Sequence, residues 1–446
     1  MKFIIHCTAV AIWPLLLLLA STARADEVPS AEAPPADASL HVQATFVEQG
    51  HGAFHSPFQG GNSLSPQADA KETFDLTVFA GFRPWRGGEL FINPEIDQGF
   101  GLDNTLGVAG FPSGEAYKVG RHAPYGRIHR AFLRQTIDLG GAVESVADDV
   151  NQIAGQRTHD HLVLTIGKFA VTDVFDNNTY AHDPRGDFLN WSLIDAGAFD
   201  YAADAWGFSV GASAEWTHGD WTLRGGLFNL SKIPNSTVLE TNFSQYEAVT
   251  ELERRYQFGG HGGVVRLLGF VNQGRMGSYD DALALGRALH QTPDTALVRR
   301  LASRAGGAIN IEQQLGANVG AFVRLSGNDG SKEAFEFTEI NRSLAGGVVW
   351  QGAAWGRAAD RFGVAAAINA LSSSARAYFA AGGLGILIGD GQLPRYGRER
   401  VAEAYYQWTL SHSLALTVDG QYIVNPAYDR ERGPVGLLAV RLHAAF

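Results

Sequence analysis

The stretch "GFSVGASAEWTHGDWTLRGGLFNL", Gly207 to Leu230, changes character at almost every residue, and this period of two constrains the fold more than any other feature of the chain. Phe208, Val210, Ala212, Ala214 and Trp216 share one face, and Ser209, Ser213 and Glu215 share the other. After the turn residues "THGD", Trp221, Leu223, Gly225 and Leu227 resume the apolar face, with Thr222 and Arg224 opposite. A helix would repeat every three or four positions, so two strands of a hairpin are predicted. The two tryptophans fall at the same edge of the apolar band, the level at which indole rings settle at a membrane interface.

The pattern recurs along the chain. Ala404, Tyr406, Trp408 and Leu410 precede "SHS", and Leu414, Leu416, Val418, Gly420 and Tyr422 follow it, set against Gln407, Thr409, Thr417, Asp419 and Gln421. "ANVGAFVRLSG" sets Ala317, Val319, Ala321, Val323 and Leu325 against Asn318, Arg324 and Ser326. "VGLLAVRLHAAF" alternates Leu438, Val440, Leu442 and Ala444 with Arg441 and His443, and finishes on Phe446. A soluble β-sandwich also alternates, but its inner face is built from large side chains. Here the oily face carries many Ala and Gly and is bounded by Trp and Tyr, as on the lipid-facing side of an all-β, transmembrane antiparallel barrel. Closure of such a barrel would pair the last strand on both sides and tie Phe446 down.

Composition agrees. Charged residues make up only 18% of the chain, too few for disorder, while 53 glycines and 11% aromatics suit half-lipid, half-water strands better than helical spans. The one near-continuous apolar run, within "MKFIIHCTAVAIWPLLLLLASTARA", has a charged start and the small-residue site Ala23-Arg24-Ala25; it reads as a signal peptide, residues 1–25, cleaved after Ala25. The sole cysteine, Cys7, leaves with it, so no disulfide is available. Loss of Lys2 and Arg24 takes the formal charge from −11 to −13, which argues against a nucleic-acid partner, since phosphate binding needs clustered cationic side chains. Residues 26–40, "DEVPSAEAPPADASL", form an acidic, Pro- and Ala-rich lead expected to be disordered, and residues 41–446 form one barrel domain. Helices are expected only in loops: two short ones within Ser278–Arg304, and one within Ser372–Gly383, capped by serine and stopped by glycine. About 16 strands fit the remaining length.

Motifs for enzyme chemistry weaken on inspection. "GFSVG", Gly207 to Gly211, has the form of a hydrolase nucleophile elbow, but that motif needs a strand-to-helix turn and this segment continues as strand. His159 and His161 in "HDH" lack an evident third metal ligand and read as a polar loop. Glu95, Asp97 and Asp103 in "NPEIDQGFGLDN" invite a glycosidase reading, yet nothing fixes a paired-carboxylate geometry, and a strand end with a Gly-rich loop suffices. No enzyme activity, metal or cofactor is expected.

From His41 to Phe446 the chain resembles the carbohydrate-selective porins of the OprB type. The resemblance is carried by "FQGGNSLSP", "GELFINPEIDQGFGLDNTLGVAGFPSGEAYKVG", "DNNTYAHDPRGDFLNWSLIDAGAFDYAADAWGFSVGASAEW", "RLLGFVNQGRMGSYDDAL", "NDGSKEAFEFTEINRSLAGGV", "AAGGLGILIGDG" and "QYIVNPAYDRERGPVGLLAVRLHAAF". It implies an outer-membrane barrel of a Gram-negative bacterium, commonly of 16 strands, that passes mono- or oligosaccharides down their gradient. It also implies that Phe446, an aromatic on an alternating last strand, is the signal read by the barrel-assembly machinery. The same architecture without selectivity, or with a non-sugar solute, is the alternative, and a homo-oligomer stays open.

A pore that favours sugars needs bidentate hydrogen-bonding groups and apolar ring faces, and must bind weakly enough to release. Strand parity points Glu215, Arg224, Arg324, Gln407, Asp419, Gln421 and Arg441 inward. Segments rich in both classes add Arg83, Trp85, Asn93, Glu95, Asp187, Asn190, Trp191, Asp200 and Tyr201 as candidates for the constriction. The competing reading of each is a loop salt bridge or an interface aromatic.

Overall fold

The computed structural model describes residues 36–116, 119–337 and 339–446. The expected signal peptide and most of the acidic lead lie outside these residues. Sixteen antiparallel strands, each hydrogen-bonded to its neighbours in the sequence, close into a barrel by pairing the first with the last. They are β1 (Ala38–His51), β2 (Asp69–Trp85), β3 (Gly88–Gly99), β4 (Arg121–Val146), β5 (Gly155–Phe169), β6 (Ser209–His218), β7 (Trp221–Asn229) and β8 (Tyr246–Phe258). The second half comprises β9 (His261–Met276), β10 (Arg300–Gly316), β11 (Val319–Asn328), β12 (Arg342–Gln351), β13 (Arg361–Ala370), β14 (Glu399–Ser411), β15 (Leu414–Val424) and β16 (Val435–Ala445). No described helix is long and apolar enough to cross a membrane.

Alternation does what the sequence demands. In β11, Val323 and Leu325 are exposed while Arg324 and Ser326 are buried; in β16, Leu438 and Val440 are exposed while Arg441 is buried. Closure gives every strand a neighbour on both sides, so the wall presents no open sheet edge to lipid. Phe446 and Val42 exchange both backbone hydrogen bonds, at 2.9 and 3.0 Å, just beyond the β1–β16 ladder. The odd-numbered connections (β1 to β2, β3 to β4 and so on) are long, while the even-numbered ones are mostly short turns, and the start of β1 and Phe446 lie at the short-turn end. Trp85, Trp216, Trp221 and Trp408 are exposed near that end and mark one interface level.

Three local expectations are corrected. Strand β1 begins at Ala38, inside the expected disordered lead, because Ala38 to Leu40 continue the ladder with β2 opposite Phe82 to Ala80. Within Ser278–Arg304 only one α-helix forms, Tyr279–Leu289, capped by Ser278; a 3-10 turn at Thr295–Val298 follows, and the basic end is drawn into β10 by pairing with β9 as far as Arg300–Met276. His159 and His161 lie within β5 rather than in a loop, His159 bonded to Glu144 and His161 to backbone carbonyls. The helix Ser373–Ala380 forms as expected, capped by Ser372, and Gly382 beyond it takes φ +91°.

Candidate functional site

Two long connections turn into the barrel from the long-loop end, residues 100–116 and residues 170–208, the latter buried without interruption from 187 to 206. They meet inside through Trp191 N–H to Phe111 O at 3.0 Å, Gly114 N–H to Leu189 O at 2.7 Å and Asn190 Nδ2 to Gly110 O at 2.8 Å. The Trp191 ring is stacked between Phe111 and Phe337, with centroids 5.0 and 4.8 Å away. Loop backbone buried this way must find partners, and the barrel wall supplies them as charged side chains. Arg324 donates to the Asp176 carboxylate at 3.1 Å and to the carbonyls of Asp176, Ala181 and Leu193 at 2.8–2.9 Å. Arg441 donates to Pro184 O and Asp187 O, and Arg304 to Asp200. Glu403 accepts from Leu189 and Asn190 N–H, and Glu399 from Ala109 and Gly110 N–H. Gly320 on β11 completes the seat: a Cβ there would lie 2.0 Å from the Tyr180 ring, so only glycine admits that ring against the wall.

Beneath the inserted loops lies a cavity of about 1310 Å³. Its lining includes Arg83, Arg130, Arg134, Arg185 and Arg224, the carboxylates of Glu89, Asp173 and Glu215, and the rings of Phe132, Trp191, Tyr201, Trp206 and Phe208. Arg130 holds Asp173 bidentately at 2.7 and 2.8 Å, with its guanidinium 4.8 Å from the Phe208 ring centre. Burial opposes the Asp173 charge, but Arg130 outweighs it and holds the carboxyl below its ordinary range. Arg185, on the inserted loop, faces Asp75, Glu95 and Glu115 at 3.3–3.5 Å. Arg224 bonds Glu215, Glu251 and Glu253 at 2.8–2.9 Å.

The β4–β5 hairpin closes the cavity from the short-turn end. Residues 136–146 of β4 run on past the end of β3, and the tip, 147–154, folds back towards the lumen. It is held by Arg83, which donates to Ala36 O, Ile153 O and Ala154 O and pairs with Glu89 at 2.8 Å. Arg134 reaches Asn151 O at 2.7 Å, and Asn93 donates to Asn151 Oδ1 at 2.9 Å.

Of the residues singled out from sequence, Arg83, Trp191, Tyr201, Glu215 and Arg224 line this cavity. Trp85 does not; it is half-exposed at the β2–β3 hairpin end and donates to Gln135 at 2.7 Å. Asn93, Glu95, Asp187, Asn190, Asp200, Arg324, Asp419 and Arg441 are buried beside it, outside the cavity lining. Asn190, Asp200, Arg324 and Arg441 bond loop to wall or loop to loop, and Asp187 accepts from His182 and Asp183 N–H while pairing with Arg361 at 3.0 Å. Asp419 accepts from Gln421, whose amide also donates to Pro112 O at 2.7 Å. Sequence reasoning missed Arg130, Arg134 and Arg185. The string "RAFLR" carried the signal for the first two, with Arg130, Phe132 and Arg134 two apart.

Glu95, Asp97 and His129 bring buried ligand atoms within 4.8 Å of one another and are the candidate metal cluster among the described residues. His129 already lies 3.2 Å from Asp97 and 3.5 Å from Glu95, and Arg185 faces Glu95 at 3.3 Å, so these ligand atoms are engaged by the protein's own side chains. Ser209 of "GFSVG" opens β6 and donates to Asn229 O, which is strand geometry and not an exposed nucleophile.

The profile of the family described as "Carbohydrate-selective porin, OprB family" matches residues 61–446. No curated protein sequence matches the chain. Among solved structures, Pseudomonas putida OprB is 14% identical, with 92% of this chain and 94% of that chain covered and a TM-score of 0.68. The outer membrane channel DcaP of Acinetobacter baumannii is 10% identical, covering 92% and 97%, with a TM-score of 0.48. OccK2 (OpdF) of Pseudomonas aeruginosa in complex with glucuronate is 10% identical, covering 92% and 98%, with a TM-score of 0.44. A closed 16-strand barrel with a loop-narrowed interior and a profile match over most of its length places the chain in the OprB family of carbohydrate-selective porins, outer-membrane channels and not enzymes.

Proposed function

We propose that the channel passes mono- or oligosaccharides by passive diffusion and prefers them to other solutes of similar size. The observation that carries this reading is the cavity wall, where guanidinium groups, carboxylates and aromatic faces alternate within one compartment. A sugar offers hydroxyl pairs to planar donors and acceptors and C–H patches to ring faces, so such a wall supports weak contact along its whole surface. The arginines are already held by acidic or carbonyl partners, so sugar hydroxyls would compete for pre-oriented groups and bind loosely. Loose binding permits release and flux.

Liposome swelling tests the preference. Vesicles carrying the purified barrel should swell faster in hexoses than in zwitterionic amino acids of similar size. Equal rates for both would favour the unselective porin of the same architecture.

A further inference from the structure

We infer that the outer face of β13–β15, at the long-loop rim, is a binding site for a phosphorylated, multiply acylated lipid of the outer leaflet. A recess of about 440 Å³ opens there, lined by Arg398, Arg400, Arg430, Tyr396, Val424 and Asn425. All three arginines are exposed, and among the described residues no carboxylate lies within ion-pair distance of any of them. In a chain of net charge −11 these three arginines gather around a single recess. On the same rim Arg300 pairs with Asp281 at 2.7 Å, and next to the recess Arg395 pairs with Glu431 at 3.1 Å, whereas the three recess arginines have no such partner among the described residues. Guanidinium groups without carboxylate partners are the standard receptor for phosphate.

The wall below the arginines favours a lipid over a free anion. Arg400 is level with Ile368 and Val424 on the neighbouring strands. The next outward positions are Ala366, Ala402 and Tyr422, followed by Ala404 opposite Gly420. Ala366, Ala402, Ala404 and Gly420 therefore leave a shallow apolar slot that starts directly beneath the charged recess, bordered by Ile368, Val364 and Tyr422, all exposed. A phosphate seated on the arginines would direct an attached acyl chain down this slot, where apolar contact adds to the charge attraction. The long-loop end of an outer-membrane barrel faces the outside, so the leaflet it meets is the one built from phosphorylated glycolipid. This site lies on the outside of the wall and does not involve the sugar path.

The test uses the full barrel in detergent, titrated with bis-phosphorylated lipid A, with the same lipid after phosphatase treatment, and with inorganic phosphate, binding being read by native mass spectrometry. Wild type should bind lipid A saturably. The triple variant Arg398→Ala, Arg400→Ala, Arg430→Ala should bind it roughly 100-fold more weakly, each arginine near an anionic surface contributing about a factor of five. Ala402→Trp, which fills the slot and keeps the arginines, should also weaken lipid A binding. Heat-modifiability and channel conductance should be unchanged in both variants, which establishes that the barrel is intact. Equal binding of lipid A by the triple variant and wild type, or equal binding of the dephosphorylated lipid by wild type, would overturn the proposal. Displacement of lipid A by inorganic phosphate at equal concentration would show a site for free anion and overturn it as well.

Discussion

Arg324 of the barrel wall reaches across to Asp176 at the start of the inserted loop, at 3.1 Å, and both side chains are about 1% exposed. The same guanidinium also bonds three loop carbonyls, so one wall residue fixes both ends of a turn in the segment that narrows the lumen. Arg324→Met keeps the bulk but leaves Asp176 buried without its cation, a loss of about 3–5 kcal/mol for a pair broken on one side. The barrel should still assemble, since its ladders are untouched. Single-channel recordings should show higher and noisier conductance with weaker sugar block, while wild-type conductance in this variant would mean the loop is held by other contacts alone.

Gly320 offers an independent handle on the same loop. Gly320→Val should push Tyr180 off the wall, because the added Cβ would overlap its ring, and should raise conductance in the same sense as Arg324→Met. Phe322, the next inward residue of β11, packs against Phe188 of the loop at 5.8 Å, and Phe322→Leu is the milder control. Matching conductance for Gly320→Val and wild type would remove Tyr180 from the account.

Arg83 ties the β4–β5 hairpin tip to the barrel mouth by two carbonyl contacts, to Ile153 O and Ala154 O. Arg83→Ala should free the tip and leave folding intact, because a change facing the lumen costs little compared with a charge placed in lipid. The expected readout is weaker sugar block with faster current fluctuations, and cross-linking of residue 151 to residue 93 through introduced cysteines should restore wild-type fluctuations.

Phe446 and Val42 join the two ends of the sheet. Phe446→Asp should lower the yield of folded, heat-modifiable barrel, whereas Phe446→Tyr should be mild, because an aromatic at the interface is retained. Normal assembly of the Asp variant would contradict a role for this residue as an assembly signal.

Asp195 on the inserted loop predicts a pH dependence. Burial, and then the neighbouring Asp176 carboxylate, push its carboxyl up to about 8. The unfolded carboxyl titrates near 4, so the folded state holds a proton that the unfolded chain has lost between those values. The seating of the loop is therefore most favoured at low pH, and this contribution is lost as pH rises through about 8. Current noise should increase between about pH 4 and 8 in wild type, and Asp195→Asn should flatten that rise.

The strand faces were legible because alternation is a local property: Arg324, Asp419 and Arg441 point inward as parity requires. Their bonding was not legible, because nothing periodic in residues 170–208 signals that the segment turns into the barrel and meets those side chains. Arg130 and Arg134 follow regular parity with Phe132 between them, but a register shift opposite Asn93 and Pro94 puts His129 and Arg130 both on the inner face, so parity cannot be carried into this stretch from the residues before it. Asn93 and Glu95 were found by composition, yet their partners, Asn151 at the hairpin tip and His129 on β4, are not near them in sequence.

Sugar titration of single-channel current tests the central claim most directly. With a panel of monosaccharides added to one side of a planar bilayer, current through the wild-type barrel should fall saturably, with half-effects in the millimolar range, about 4 kcal/mol of binding, that differ between stereoisomers. Current that ignores every sugar in the panel, yet responds to small anions or amino acids, would contradict the assignment of sugars as the preferred solute.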